Sequence, residues 1–333
     1  MTLPDQATPD QNFQTRILNN VATVLVGKEA VTRLALAGIL AGGHILLEDA
    51  PGTGKTMLAR ALAASLGLGF KRVQFTPDLL PSDVTGVSVY QGGEFVFVPG
   101  PIFTGLLLAD EINRATPKTQ SALLEAMGEG QVSESGVTHT LAQPFVVVAT
   151  QNPIEFEGTY RLPEAQLDRF LLRLSVGYPS EADEARMLAR LQEHHPIDTL
   201  GAVTDARELL EARGRVRSVR VQGELRTYIA AITARSRAHP QVALGGGPRA
   251  SLALQSVSQA LAYLDGRSFV SPADIKAVAP AVLGHRLSLH TEARLTGVHP
   301  ESVVAQVLSE VPVPVEAVPA DPVPVNTVPA AVK

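Results

Sequence analysis

Glu48-Asp49-Ala50-Pro51-Gly52-Thr53-Gly54-Lys55-Thr56 is the stretch on which the reading of the fold turns. A short apolar run, His44 to Leu47, leads into it, and a helical spacing from Met57 to Ser65 follows. Strand, glycine-rich turn and helix in that order are what a phosphate-binding loop requires. The turn aims successive backbone N–H groups at phosphate oxygens, where the helix dipole also favours negative charge. Pro51, Gly52, Thr53, Gly54 and Met57 would then shape the cradle, Lys55 would reach the β- and γ-phosphates of ATP, and the Thr56 hydroxyl would bind Mg2+. One position departs from the usual loop: Asp49 stands where its first glycine would be. Aspartate tolerates unusual backbone angles better than most residues, so the turn is still expected.

Two further apolar runs end in polar groups of the kind a phosphate site needs. Leu106 to Ala109 runs into Asp110-Glu111. A buried strand ending in two carboxylates needs partners for them, and Mg2+ supplies one. Asp110 is the candidate metal ligand and Glu111 the candidate for polarising an attacking water. Phe145 to Ala149 leads into Thr150-Gln151-Asn152-Pro153, which sets Asn152 at a strand tip within reach of the water and the γ-phosphate. With Lys71 to Phe75 and Leu171 to Gly177, these runs predict strands that are apolar throughout, as in a parallel sheet covered on both faces. The fold class expected is therefore an α/β P-loop core with helices on both faces.

Around that core the chain changes character twice. Phe13 to Ala41 has helical apolar spacing broken at Val26-Gly27-Lys28, and residues 1–12, polar overall, are expected to be a disordered N-terminus outside the fold. After Tyr178-Pro179 the pattern predicts helices over 181–194, 205–213, 222–238, 249–264, 272–282 and 301–309, an all-helical second domain spanning 180–310. From Val311 the chain is rich in valine and holds six of the 24 prolines, which suits an extended, unpacked tail. Two domains also suit a length of 333 residues. Val87 to Tyr90 and Phe95 to Val98 flank Gln91-Gly92-Gly93-Glu94, a hairpin pattern within 86–99. A second hairpin, 130–141, turns at Ser135-Gly136.

Bulk properties narrow the function classes. With 28 basic against 33 acidic residues the net charge is −5, which argues against a duplex-DNA binder held by counterion release. The absence of cysteine excludes disulfides, thiolate catalysis and Cys-based metal sites. No stretch reaches the ~20 apolar residues of a membrane helix, and the acidic, proline-bearing N-terminus is no signal peptide. A cytoplasmic protein with no membrane span is the expectation.

Lys55-Thr56, Asp110-Glu111 and Asn152 resemble the Walker A, Walker B and sensor-1 elements of AAA+ ATPases. Three longer stretches resemble the MoxR family in particular: Gln74 to Gly86, Asp110 to Ala115, and Leu162 to Phe170. The resemblance spans about residues 13–310. It implies a strand order of 5-1-4-3-2, and a homo-oligomeric ring, usually a hexamer, with each ATP site at a subunit interface. By the same resemblance Arg169 is the arginine finger aimed at a neighbour's γ-phosphate, Arg249 the sensor-2 arginine of the lid, and Gln74 a restraint on the catalytic glutamate. Arg114 is a further candidate for reaching across the interface. The hairpins would face the pore or the client. The work implied is chaperone-like remodelling or maturation of partner proteins, metal cofactor insertion among them, with partners carrying a von Willebrand factor A domain.

Two other readings stay open at this point. A motor acting on nucleic acid shares the hairpin-bearing architecture, but the acidic balance opposes it. A nucleotide-gated scaffold with negligible turnover would not need Glu111, Asn152 and Arg169 together. The basic run Arg213, Arg215, Arg217 and Arg220 reads as a solvated segment between helices, and His194-His195 as a helix end.

Overall fold

The computed structural model describes residues 9–153, 158–190 and 196–314, with side chains from residue 13 onward. Residues 1–8, His194-His195 and the tail from 315 lie outside the described residues. Helix α1 (Pro9–Ala22) already takes in residues 9–12, which polar composition alone places outside the fold. Helix α2 (Glu29–Leu40) follows after a turn at Gly27, whose φ of 69° is left-handed.

Along the chain come β1 (Ile45–Glu48), α3 (Lys55–Ser65) and β2 (Phe70–Gln74). Next are α4 (Pro81–Thr85) and the antiparallel pair β3 (Gly86–Gln91) and β4 (Glu94–Pro99). Then come β5 (Leu106–Asp110), α5 (Pro117–Glu129) and a second antiparallel pair, β6 (Gln131–Glu134) and β7 (Val137–Thr140). The core closes with β8 (Val146–Gln151), α6 (Glu164–Leu167) and β9 (Leu172–Leu174). Five of these strands make one parallel sheet in the order β2-β5-β8-β1-β9. This is the 5-1-4-3-2 arrangement that the resemblance implies, read from the opposite edge.

Side chains alternate across this sheet with the period of two that a pleated strand imposes. Ile45, Leu47, Leu106, Leu108, Val146 and Val148 belong to the apolar cluster of one face, with Ile17, Leu36 and Leu62 from α1–α3. Leu46, Leu107, Ala109, Val147 and Ala149 belong to the other, with Phe75, Leu123, Leu124 and Phe170. Fully burying a Val, Leu, Ile or Phe side chain among these contributes about 1.5–3 kcal/mol. The exception is β2. It lies at the sheet edge, so Lys71 and Arg72 stay exposed while Val73 is buried. A strand covered on both faces describes β1, β5 and β8 but not this one.

The second domain is built from α7 (Glu181–Arg190), α8 (Ala206–Ser218), α9 (Gly223–Ala238), α10 (Pro248–Leu264), α11 (Pro272–Leu283), α12 (Thr291–Leu295) and α13 (Pro300–Glu310). Helix α8 continues past 213. Arg213 is buried in it and donates through Nε to the Ile39 carbonyl at 3.0 Å. That part of the basic run caps the end of α2 and is not a solvated connector. A small antiparallel pair, β10 (Val242–Leu244) and β11 (Ser288–Leu289), joins distant parts of the lid and is too short to leave a periodic signal. The apolar cluster holding Leu36 and Leu62 continues without a break into Leu254, Val257, Val278 and Val304, so core and lid share packing. Arg173 on β9 adds polar links, pairing with Glu48 of β1 at 3.0 Å and with Glu301 of α13. Among the described residues no helix is long and apolar enough to cross a membrane.

Both hairpins turn through two residues of left-handed backbone, the geometry whose twist matches the flanking strands. In the first these are Gly92 and Gly93, with φ of 61° and 100°. In the second they are Ser135 and Gly136, with φ of 51° and 80°. Phe97 of β4 stacks on His139 of β7 at 3.7 Å between ring centres, which ties the hairpins together. Tyr90 and Phe95 meet edge to face at 5.2 Å, yet remain 64% and 76% exposed.

Candidate active site

The carboxyl ends of three adjacent strands, β1, β5 and β8, converge on one cavity. It has a volume of about 350 Å3 and is lined by Pro51 to Met57, Asp110, Glu111 and Thr150 to Asn152. The loop after β1 turns through Gly52 and Gly54, whose φ values of 79° and 95° are the left-handed ones that favour glycine. Gly54 is also the N-cap of α3, so the first free N–H groups of that helix open onto the cavity. Lys55 Nζ folds back over the loop and donates to the carbonyls of Asp49 at 2.6 Å and Ala50 at 2.8 Å. Burial lowers the Lys55 ammonium, against the charges of Asp49, Asp110 and Glu111, which raise it.

Asp49 keeps the turn in a way its backbone tolerance does not account for. Among the described residues the non-glycine positions with positive φ are Glu111 and Ser135, so no left-handed angle is used at Asp49. Its carboxylate accepts from the N–H of Ala50 at 2.9 Å, the Ser175 hydroxyl at 3.0 Å and the N–H of Gly177 at 2.5 Å. Burial works to raise this carboxyl, but the three hydrogen bonds and the nearby Lys55 charge outweigh it and hold the group below its ordinary value.

At the end of β5, Asp110 accepts from the Thr150 hydroxyl at 2.5 Å and pairs with Arg72 at 2.7 Å. Arg72 reaches it from the neighbouring edge strand, where Gln74 pairs with Asp110 in register. Glu111 takes a left-handed backbone, with φ 55° and ψ 50°, a conformation that costs a non-glycine residue energy and that recurs at functional positions. The Thr150 hydroxyl accepts from its N–H at 2.8 Å and so steadies the turn. The Glu111 carboxylate accepts from Gln74 Nε2 at 2.7 Å and from Arg114 at 3.1 Å. Gln74 therefore touches the glutamate, and Arg114 holds it within the same chain.

The structure brings Lys55, Thr56, Asp110, Glu111 and Asn152 to one cavity. It does not bring Arg169 or Arg249 to that lining. Arg169 Nη1 donates to the Leu124 carbonyl in the interior of α5. Arg249 is 68% exposed and lies 3.4 Å from Asp168, the residue before Arg169. Asp168 also accepts from Arg286 Nε at 2.8 Å, and the Arg286 guanidinium donates to the carbonyl of Phe170 at 2.7 Å. Burial lowers the Arg286 pKa, against Asp168, which raises it. Asp168 thus sits where core meets lid, pairing with Arg249 and with Arg286, which sequence reading overlooks, while the Arg169 guanidinium turns to α5. Arg286 carries no periodic or motif signal. Arg72 carries a faint one, a cation beside Lys71 in a β-prone run.

A second cavity of about 370 Å3 adjoins the first through Pro51, Gly52, Thr53, Gly54 and Met57. Its far wall is largely apolar, with Val24, Leu25, Val26, Tyr178, Pro179 and Met187. A polar, phosphate-shaped cavity joined to an apolar one suits a nucleotide, with phosphates in the first and a flat base in the second. For Mg2+, the donor set is one hydroxyl and one carboxylate, both hard oxygens on the phosphate cavity. That set fits an ion completing its shell with water and phosphate oxygens, and no group of three metal-binding side chains occurs among the described residues.

Sequence and fold match known proteins. Residues 44–172 match the family described as ATPase family associated with various cellular activities (AAA), and residues 234–307 match the AAA lid domain. The chain is 52% identical over 303 residues to an uncharacterised protein of Bacillus subtilis, covering 90% of this chain and 95% of the relative. It is 41% identical over 316 residues to the chaperone MoxR1 of Mycobacterium tuberculosis, covering 91% and 83%. The crystal structure of a candidate ATPase from Cytophaga hutchinsonii aligns with a TM-score of 0.86 at 37% identity, covering 92% of this chain and 96% of that one.

Proposed function

The chain belongs to the MoxR family of AAA+ ATPases, and on that premise we propose that it hydrolyses ATP with Mg2+ in a homo-oligomeric ring, a hexamer by family analogy, to remodel or mature partner proteins. The observation that carries the hydrolytic part is the convergence of Lys55, Thr56, Asp110, Glu111 and Asn152 on one cavity.

ATP places its base against Val26, Tyr178 and Met187 and its phosphates over Gly52 to Thr56. Lys55 moves from the Asp49 and Ala50 carbonyls to the β- and γ-phosphate oxygens. Thr56 directly, and Asp110 through water, would hold Mg2+, which supplies positive charge across the phosphate oxygens. Glu111 orients a water for in-line attack on the γ-phosphorus and takes its proton, while Asn152 hydrogen-bonds the water and a γ-oxygen. The new P–O bond forms as the bond to the ADP oxygen breaks, giving ADP and phosphate. Arg169, supplied by the adjacent subunit, offsets charge in the transition state, and Arg249 travels with it through Asp168. Gln74 and Arg114 hold Glu111 at 2.7 and 3.1 Å and so restrain it until the interface closes.

A client role draws support from the first hairpin, whose exposed Tyr90 and Phe95 offer an apolar grip. Partners with a von Willebrand factor A domain, and clients that receive a metal cofactor, are the classes the family resemblance implies. ATP hydrolysis per subunit, measured against protein concentration for wild type, Glu111→Gln and Arg169→Ala, tests the reading. Specific activity should rise with concentration, and both variants should lose hydrolysis while Glu111→Gln still binds ATP. A flat concentration profile with an active Arg169→Ala would leave each site complete within one chain and remove the ring-based mechanism.

A further inference from the structure

The strap that carries the chain from β9 to α7 and the lid, residues 175–180, is held from two sides. From the phosphate loop, Asp49 accepts from the N–H of Gly177 at 2.5 Å and the hydroxyl of Ser175 at 3.0 Å. From the turn between α1 and α2, Lys28 Nζ donates to the carbonyls of Val176, Gly177 and Tyr178, each at 2.9 Å. Gly177, with φ of 67°, bends the strap so that its N–H and carbonyls face these opposite charges. Next to Lys28, a side chain at Gly27 would come within 2.2 Å of the Asp183 carboxylate, so this turn also abuts the first turn of α7. Lys28 lines the apolar cavity, and the carbonyl of Asp49 holds Lys55 Nζ at 2.6 Å.

Those contacts lie in series. Lys55 rests on the carbonyl of Asp49, and the carboxylate of the same residue rests on the strap. We propose that Asp49 is a positioning residue that couples the phosphate loop to the lid: a phosphate that draws Lys55 off the loop carbonyls shifts the peptide carrying the Gly177 contact, and the strap follows. A glycine in this place has no side chain to make the link, which accounts for the departure from the usual loop. The inference deepens the reading of this cavity as an ATP site and rests on it.

The test compares the full chain as wild type, Asp49→Asn, Asp49→Gly and Lys28→Gln. The readouts are kcat and KM for ATP, heat stability, and the protection from hydrogen exchange that ATP confers on the peptide spanning 174–182. Asp49→Asn keeps the shape of the side chain but loses the charge that receives Gly177 and Ser175. Losing one charge-assisted hydrogen bond should lower kcat ~10-fold while KM stays within ~3-fold, and ATP-induced protection of the strap should disappear. Asp49→Gly should behave in the same way, and Lys28→Gln should abolish the protection from the other side. Wild-type kcat with wild-type protection in the Asp49 variants overturns the proposal. So does a loss of heat stability with kcat and protection intact, which would make Asp49 a packing residue. Protection depends on binding alone, so it still judges the link if wild type binds ATP without turning it over, a result that removes only the hydrolysis reading. Wild type that does not bind ATP removes both.

Discussion

The phosphate cavity and the Asp168–Arg169 corner are both assembled from residues far apart in sequence, but they are positioned by different means. In the cavity, Lys55, Asp110, Glu111 and Asn152 stand at or just beyond the ends of three adjacent parallel strands whose interiors are fully buried. Backbone topology places them, so one chain suffices to line the cavity. At the corner, Arg169 and Arg249 are tethered by side-chain contacts to Leu124 and Asp168 and lie off the cavity lining. The lesson is that the first region is finished by folding. In the proposed ring, the second would serve the site of a neighbouring subunit.

The strongest way to break that contrast is to separate the two halves of the reaction. Arg169→Ala and Glu111→Gln should each lower kcat by ~10^3-fold. If the corner serves a neighbour, mixing the two inactive proteins should restore part of the activity, because some interfaces then pair an intact Glu111 with an intact Arg169. Mixtures as inactive as their components would put both groups in one site and dissolve the contrast.

A pH series sharpens it from the structural side. His44, half-buried just before β1, bonds the Met127 carbonyl of α5 through Nε2 at 3.1 Å and accepts at Nδ1 from the Val147 N–H at 3.0 Å. Burial lowers its pKa from 6.5 to about 4. A histidine depressed in the fold binds its proton more readily when unfolded, so its contribution is present above pH 6.5 and lost as pH falls towards 4. Urea unfolding should show a loss approaching ~3 kcal/mol across that window. The same curve should flatten in His44→Gln, and an unchanged slope there would assign the acid sensitivity elsewhere.

Arg249 is exposed and only loosely paired, so Arg249→Ala should cost ~10-fold in kcat with little change in stability. Thermal melts beside steady-state assays would show whether the loss is catalytic. The smallest effect is expected at Gln74, whose hydrogen bond to Glu111 is worth ~1 kcal/mol. Gln74→Ala should change basal hydrolysis by only a few-fold, upward if the contact restrains Glu111 and downward if it aligns it. Initial rates with excess ATP decide the sign.

Much of the cavity was legible in advance because its parts are local. Gly52, Gly54, Lys55 and Thr56 sit together, and an apolar run ending in Asp110-Glu111 signals a strand tip without any knowledge of the partner strands. The parallel sheet and its order were also legible, the order through resemblance. Arg72 and Arg286 were not, because their roles depend on which strand becomes the sheet edge and on which lid loop closes over Asp168. Asp49 was legible as an anomaly and not as a solution, since its partners Ser175 and Gly177 lie 126 and 128 residues away.

By itself, then, the sequence determined the phosphate loop, the alternation of buried strands and helices, the helical lid and the chemistry available at the strand ends. Those features depend on residue spacing and backbone preference within a few turns of chain. Only the tertiary structure decided that Arg169 and Arg249 lie off the cavity, that Arg114 holds Glu111 within one chain, and that Asp49 grips the strap to the lid. Each of these is a charge or amide finding its partner across a long sequence separation, and that pairing is fixed by packing, which no local pattern encodes.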